Sequence, residues 1–207
     1  SQHYAFVVNA FVSLLKRADM TRYELFLRET RTYEIIEDVK NFRSEIGVLF
    51  LNSYNRDVLT KMFDDNRLTY TSLFKARPHI FVSKSNPLAK HEVVSLEDLE
   101  DFPYLSYDQG IHNSFYYSEE ILSQIPHKKS IVVSDRATLF NLLIGLDGYT
   151  IATGILNSNL NGDNIVSIPL DIDDEIDIVY LKHEKATLSK MGEKFLDNLV
   201  KEVTFDN

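Results

Sequence analysis

Hydrophobic and polar positions alternate between helix spacing and strand spacing along the 207-residue chain. Near the start, the apolar side chains of Val7, Phe11 and Leu14 recur every three or four positions, which predicts an amphipathic helix. From Tyr23 to Leu27 every second residue is apolar, which predicts a strand. The chain therefore begins with a helix followed by a strand.

The same alternation continues to the end of the chain. Further helices are predicted near residues 35–42, Asn55–Asp65, Ser95–Leu99, Ser114–Gln124, Arg136–Leu146 and Leu188–Val203. Further strands are predicted at Ile46–Leu51, Leu68–Phe74, His79–Val82, Ser130–Val133, Tyr149–Thr153, Ile165–Leu170 and Ile176–Lys182. A polar, turn-forming stretch covers Asn157–Asn164. Strands that alternate with helices predict an α/β fold with a largely parallel sheet. Two such series, followed by a last part that is again rich in strands, predict two lobes.

Composition and charge narrow the classes of function. The chain has 22 basic and 31 acidic residues, and its densest basic cluster is Lys128-Lys129. Because phosphate neutralisation supplies most of the affinity for duplex DNA, we do not expect this chain to contact DNA itself. It has no cysteine, which excludes disulfides and thiol catalysis and agrees with the cytoplasm. No apolar run is long enough to span a membrane, and the first 17 residues do not resemble a signal peptide.

Motifs of enzymes and metal sites are missing from the sequence. The seven glycines form neither a dinucleotide-binding nor a phosphate-binding loop, and no G-x-S-x-G nucleophile motif occurs. The six histidines lack metal-ligand spacing, and Asp173-Asp174 is typical of a solvated turn. We therefore expect no catalytic residue, no metal and no cofactor.

Several short motifs follow one another in a consistent order. They are Ser44–Val48, Leu68–Phe74, His79–Val82 with Asn86-Pro87-Leu88-Ala89, Val94–Leu99, Pro103–Leu105, Gly148–Ala152, Ile168-Pro169-Leu170 and Leu188–Leu199. In this order they resemble the effector-binding domains of LysR-type transcriptional regulators over nearly the whole chain. The chain departs from the family pattern at Asn86, where histidine is usual, and at Tyr149 and Thr150, where a glycine and its neighbour are usual.

The resemblance implies a fold of the periplasmic-binding-protein type 2, in which two Rossmann-like lobes are joined by two crossover strands. We expect lobe I to comprise residues 1–77 and 164–207, lobe II residues 85–156, and the crossovers residues 78–84 and 157–163. The family's first strand would lie just before Ser1, preceded by a linker helix and a winged helix-turn-helix that binds DNA. The resemblance also implies a cytoplasmic homodimer, tetrameric in the full-length protein, in which an effector bound between the lobes shifts the assembly and controls transcription.

Candidate ligand-binding residues lie where helices begin and where strands end. Free N–H groups and the dipole at a helix N-terminus attract anions, and crevices at the carboxyl ends of strands commonly hold ligands. The resulting candidates are Ser1, Gln2, His3, Thr30, Arg31, Tyr107, Gln109, Gly110, Ser134, Asp135, Arg136, Thr138 and Thr153. Their hydroxyl, amide and guanidinium groups favour a small polar or anionic metabolite.

Several of these residues have alternative structural interpretations. Ser1, Thr30 and either Ser134 or Asp135 are also suited to capping a helix, and Arg136 to pairing with a nearby aspartate. The loop containing Gln109 is also compatible with a solvated turn. A solute-binding protein of a transporter would have the same fold, as would a two-lobed lyase or transferase. An upstream winged helix, an export signal or turnover by the purified domain would distinguish the three classes.

Overall fold

The computed structural model describes residues 1–17, 21–156 and 162–204, which fold around two β-sheets. The helices are α1 (Ala5–Arg17), α2 (Thr32–Lys40), α3 (Arg56–Asp65), α4 (Arg136–Leu146) and α5 (Lys190–Thr204). The strands are β1 (Gly47–Leu51), β2 (Leu68–Ala76), β3 (His79–Ser83), β4 (Tyr104–Tyr107), β5 (Ser130–Val133), β6 (Tyr149–Ala152), β7 (Ile165–Pro169) and β8 (Ile176–His183). Short 3₁₀ turns occur at Pro87–Lys90, Glu97–Leu99 and Phe115–Tyr117.

The first sheet has the strand order β1-β8-β2 and is covered on both faces by helices. All five residues of β1 are buried, and alternate residues of a strand point to opposite faces. Leu49 and Leu51 pack with α2 and α3, whereas Val48 and Phe50 share a core with α1 and α5. We call this sheet with its four helices lobe I.

The second sheet has the order β5-β4-β6-β3-β7. Its β5-β4-β6 part is parallel, and β3 pairs antiparallel with both β6 and β7. Helix α4 covers one face through Leu139 and Leu143, which are fully buried. We call this sheet with α4 and the loops around it lobe II.

Three expectations from the sequence are wrong. The sheet of lobe I is antiparallel in the described residues, because β8 arrives from lobe II and runs opposite to both β1 and β2. The segment from Tyr23 to Leu27 forms no strand, and its side chains, including Phe26 at 82% exposure, find no adjacent strand to pack against. The predicted helix Ser114–Gln124 is reduced to the turn Phe115–Tyr117, and Leu122 adopts a left-handed backbone (φ 59°) that interrupts any helix.

The chain passes between the two sheets twice, after β2 and after β7. β7 pairs with β3 in lobe II, although the sequence grouped residues 164–207 with lobe I. The expected lobe boundaries stay a prediction, and five of the residues in the expected second crossover, 157–161, lie outside the described residues. One core cluster runs through both lobes and includes Ile178 of β8 and Ile80 of β3. We therefore expect the lobes to depend on each other for stability.

Replacing Ile178 with alanine should lower the free energy of unfolding by about 2–5 kcal/mol, because it opens a cavity in this shared core. Urea denaturation followed by circular dichroism measures the change. Val58→Ala, at a 38% exposed position on α3, is the control and should change stability by less than about 0.5 kcal/mol. Two separate unfolding transitions in the Ile178→Ala protein would contradict the shared core.

Candidate functional site

The candidate site lies where the N-terminal ends of α1 and α2 face the loop that follows β4. His3 precedes α1, and Thr32 is the first residue of α2. Both helices therefore present backbone N–H groups that have no partner within their own helix. Opposite them, residues 108–120 of lobe II run from the end of β4 past the Phe115–Tyr117 turn. The helix termini of one lobe and the loop of the other thus form the two walls of the cleft.

Glu119 joins lobe II to the start of α1. Its Oε2 accepts the backbone N–H of His3 at 2.8 Å and lies 2.9 Å from His3 Nδ1. Its Oε1 accepts the side-chain amide of Gln109 at 3.0 Å. Because an ionised carboxylate only accepts hydrogen bonds, Nδ1 of His3 carries a hydrogen in this arrangement. The His3 ring also stacks on the ring of Tyr107, with 4.2 Å between centroids.

Gln109 and Asp108 make the corresponding contacts to α2. Gln109 Oε1 accepts the backbone N–H of Thr32 at 3.1 Å, which satisfies a free donor at the helix start. Arg31 Nη2 donates to Asp108 Oδ2 at 2.5 Å, and Arg31 Nε donates to the Asp108 carbonyl at 3.1 Å. The N–H of Gly110 and the guanidinium of Arg31 lower the pKa of Asp108. Gly110 has a φ of +61°, and a Cβ there would lie 2.8 Å from Arg31 Nη1.

Aromatic contacts extend this interface away from the helix ends. Tyr33 of α2 stacks on His112 with 3.5 Å between ring centroids, and Tyr54 stacks on Tyr116 at 4.8 Å. Tyr117 Oη lies 3.5 Å from the Met62 sulfur of α3. Loop 108–120 therefore covers α2 and the ends of α3 with polar and aromatic groups together.

A cavity of about 50 Å³ lies between the lobes beside this network. This volume accommodates roughly three to five water molecules and is about a third of the roughly 150 Å³ of a cavity that holds a benzene ring. Thr153, Ala152 and Ile155 line it at the end of β6, and His3 and Ala5 line it at the start of α1. Its wall also includes six aromatic side chains: Tyr4, Phe6, Phe50, Phe81, Tyr107 and Phe140.

Glu120 is a buried acid in the cavity wall. Its Oε1 accepts the backbone N–H of Tyr107 at 2.9 Å, and its Oε2 has no hydrogen-bond partner among the described residues. Burial, together with the neighbouring charge of Glu119, raises the pKa of Glu120 well above its ordinary value. The surroundings of this carboxyl group therefore favour its protonated form more than water does.

Arg136 reaches the cavity from the first turn of α4. Its Nε lies 3.1 Å from Glu29 Oε1, and its Nη2 lies 3.4 Å from Glu29 Oε2. Glu29 precedes α2, so this two-point ion pair crosses from lobe II to lobe I. The partner is a glutamate rather than the nearby aspartate considered from the sequence.

The other candidate residues have mainly structural surroundings. Gln2 is buried, with its side chain bonded to Thr32 Oγ1 at 2.6 Å, to the N–H of Phe50 at 3.1 Å and to Tyr4 Oη at 2.6 Å. Ser1 and Thr30 line a separate groove beside residues 24–28, and neither caps a helix. Among the described residues Ser1 Oγ has no hydrogen-bond partner, and Thr30 Oγ1 donates to Glu34. Ser134 is exposed and lies outside the cavity wall.

Asp135 is the N-cap of α4 in the described structure. Its carboxylate accepts the N–H of Thr138 at 2.8 Å and the Thr138 hydroxyl at 2.7 Å. These bonds lower the pKa of Asp135. Both residues are exposed, so the cap holds the helix that carries Arg136 instead of lining the cavity.

Sequence reasoning missed the acidic pair Glu119-Glu120. It placed both residues in the predicted helix Ser114–Gln124 and assigned them no role in the site. The available signal was the position of two acids directly before the apolar pair Ile121-Leu122 in a segment rich in aromatic residues. It also missed Glu29, the partner of Arg136.

Metal and membrane features were also searched in the described ranges. In residues 1–17, 21–156 and 162–204, no group of three or more His, Cys, Asp or Glu side chains is placed to hold a metal ion. Over the same ranges, each helix is too short or too polar to cross a membrane.

Comparison with known proteins identifies one family. Residues 14–204 match the family model described as the LysR substrate binding domain. A search of curated protein sequences finds no match.

Solved structures share the fold at low identity. The chain is similar to the effector-binding domain of QuiR in complex with shikimate, at 17% identity and a TM-score of 0.60, over 94% of this chain and 88% of that one. It is similar to the BenM effector-binding domain with its effector benzoate, at 17% identity and a TM-score of 0.61, over 98% and 87%. HinK, a LysR family transcriptional regulator from Pseudomonas aeruginosa, matches 97% of this chain at 15% identity and a TM-score of 0.60, and the chain spans 66% of its length.

Gly110→Ala should lower the free energy of unfolding by about 1–2 kcal/mol, because an L-residue at this φ is strained and its Cβ meets the Arg31 guanidinium. Chemical denaturation measures the loss. Gly145→Ala, in α4 with nothing within 4 Å of the added Cβ, is the matched control and should stabilise by up to about 1 kcal/mol. Equal effects at the two glycines would show that Gly110 is not required by this contact.

Glu120→Gln should become more stable relative to the native protein as pH rises. The native carboxyl has a raised pKa, so native stability is full below the ordinary value of 4.5 and is lost as pH rises towards the folded-state pKa. Glutamine does not titrate. Between pH 4.5 and the folded-state pKa, the difference in free energy of unfolding between the variant and the native protein should therefore grow by about 1.4 kcal/mol per pH unit. Urea unfolding of both proteins at about pH 4.5 and at about pH 7.5 measures this difference. A difference that does not change with pH would mean that Glu120 titrates at its ordinary pKa.

Proposed function

The chain belongs to the family of LysR substrate-binding domains, and on that premise we propose that it is the effector-sensing domain of a LysR-type transcriptional regulator. The effector is a small molecule that binds in the cavity between lobes I and II. The observation that carries the proposal is that side chains of both lobes line this cavity, among them His3 and Phe50 from lobe I and Tyr107 and Arg136 from lobe II. A ligand there touches both lobes at once.

The mechanism is a shift in population between lobe arrangements. The lobes are held together by polar contacts, including Glu119 to His3, Gln109 to Thr32 and Arg136 to Glu29. A ligand that binds one arrangement more tightly raises its population by that difference in affinity. In a homodimer, and in the tetramer of a full-length regulator, this shift would move DNA-binding domains supplied by a winged helix-turn-helix outside this chain.

Several finer parts of this proposal follow from the role of a regulator. The chain acts without catalysing a reaction, inside the cytoplasm where the DNA lies, and its net charge of −9 leaves DNA contact to another domain. The named effectors of similar structures, shikimate for QuiR and benzoate for BenM, are small and polar. They support a small polar metabolite here, while the charge of the ligand depends on this chain's own side chains.

Ligand binding can be tested by blocking the cavity. A metabolite thermal-shift screen, followed by calorimetry, should find a compound that stabilises the native domain. Ala152→Phe, which fills the cavity wall at the end of β6, should abolish the shift. Ala137→Phe, at an exposed position of α4 outside the cavity, should keep it. If Ala152→Phe preserves the response to the same compound, the effector binds elsewhere.

Lobe movement can be tested by distance measurement. The chain has no cysteine, so Lys61→Cys on α3 and Asn141→Cys on α4 introduce the only thiols for spin labelling. Pulsed electron resonance should show a changed distance distribution between the labels when the effector from the screen is added. An unchanged distribution at saturating ligand would refute the population shift while leaving binding intact.

A further inference from the structure

The position that a ligand anion would take at α1 is already filled by the protein. A helix N-terminus attracts anions through its free N–H groups and its dipole. Here the Glu119 carboxylate accepts the His3 N–H and contacts the His3 ring, while Gln109 donates to its other oxygen. At α2, Gln109 Oε1 occupies the equivalent position on the Thr32 N–H. A carboxylate ligand would have to displace these groups or lie next to a second negative charge.

The cavity next to this position has an excess of acid. The carboxyl groups that face it or pair with its wall are Glu119, Glu120 and Glu29, and the basic groups are Arg136 and His3. Arg136 forms a two-point pair with Glu29, and the His3 ring contacts Glu119. Glu120 remains without a cationic partner in the described residues, and its Oε2 is an unpaired buried oxygen.

The remaining wall suits an organic cation. Phe50, Phe81, Tyr107 and Phe140 place aromatic rings around the space beside Glu120. The faces of aromatic rings attract cations, and this attraction increases when the ion is removed from water. A buried ammonium group is stable only when it is paired and hydrogen-bonded, and Glu120 offers both the charge and the free oxygen.

We propose that the effector is a small organic amine with a short alkyl body, smaller than a six-membered ring, whose ammonium group pairs with Glu120. This inference rests on the proposed function and specifies the ligand class for the same cavity. The Glu119 carboxylate excludes ligands that carry a carboxylate, because it already occupies the N-terminal end of α1 where such a ligand would bind.

Binding of such an amine exchanges one proton. The Glu120 carboxyl loses its O–H proton to solvent, and the resulting carboxylate accepts a hydrogen bond from the ammonium group, which keeps its own protons. No bond in the ligand is formed or broken. Because burial raises the pKa of Glu120 and a neighbouring ammonium group lowers it again, calorimetry in buffers of different ionisation enthalpy should detect protons released when the amine binds.

The test uses propylamine, propionamide and propionate, which share a short alkyl chain and differ in charge. Isothermal titration calorimetry on the native chain should show propylamine binding at least about tenfold more tightly than propionate. Glu120→Gln should weaken propylamine at least about tenfold and remove the proton release. Glu92→Gln, an exposed acid outside the cavity, is the control and should leave both values unchanged.

Three results would overturn the inference: propionate binding as tightly as propylamine, propylamine binding unchanged in Glu120→Gln, or no propylamine binding up to about 10 mM. Binding of propionate or propionamide that is at least as tight as that of propylamine, and that Ala152→Phe abolishes, would reject the amine and still support the cleft as the effector site. The proposed function fails separately, when the wider metabolite screen finds no compound that binds in the cavity.

A second arm tests the role of Glu119. In Glu119→Ala, sodium acetate should raise the melting temperature more than sodium chloride of the same concentration, because acetate can occupy the vacated helix end. The native chain should respond equally to the two salts. An acetate-specific shift in the native chain would show that the anion position is open and would overturn the exclusion of carboxylates. Should Glu119→Ala fail to fold, the native comparison and Glu120→Gln still decide.

Discussion

The carboxylate of Glu119 lies at the centre of the contact between the two lobes. It comes from lobe II and accepts a backbone N–H at the start of α1 in lobe I, where the dipole of the helix favours negative charge. Gln109 links the same carboxylate to the start of α2, so one group connects both helix ends. The stacked rings of His3 and Tyr107, the neighbouring Glu120 and the cavity all lie beside this contact.

Local patterns predicted most of the fold because burial dictates them. The apolar run Arg136–Leu146 predicted α4 with its observed bounds, and the apolar run Ile46–Leu51 predicted β1 to within one residue. The patterns failed where the strand with which a segment must pair is distant in sequence. The alternation at Tyr23–Leu27 indicates a strand, yet a strand requires a neighbour, and the described residues supply none. The direction of β8 depends on its return from lobe II, which no local pattern records.

The candidate site was predicted less completely for the same reason. Helix starts led to His3 and Arg136, and the end of a predicted strand led to Arg31; all three lie at the contact between lobes. Their partners Glu119, Asp108 and Glu29 lie between 77 and 116 positions away, so sequence alone gives no basis for pairing them. The burial of Glu119 and Glu120 follows from the left-handed turn at Leu122 and the irregular loop before it, not from their own residue type.

The tyrosines between the lobes have a practical consequence. The chain has eleven tyrosines and no tryptophan, and Tyr33, Tyr54, Tyr116 and Tyr117 all belong to the contact between loop 108–120 and lobe I. Tyrosine rings held in asymmetric stacks produce near-ultraviolet circular dichroism, whereas rings free in solvent produce little. The native chain thus contains its own optical reporter of lobe separation, and unlabelled protein suffices to follow the movement in real time.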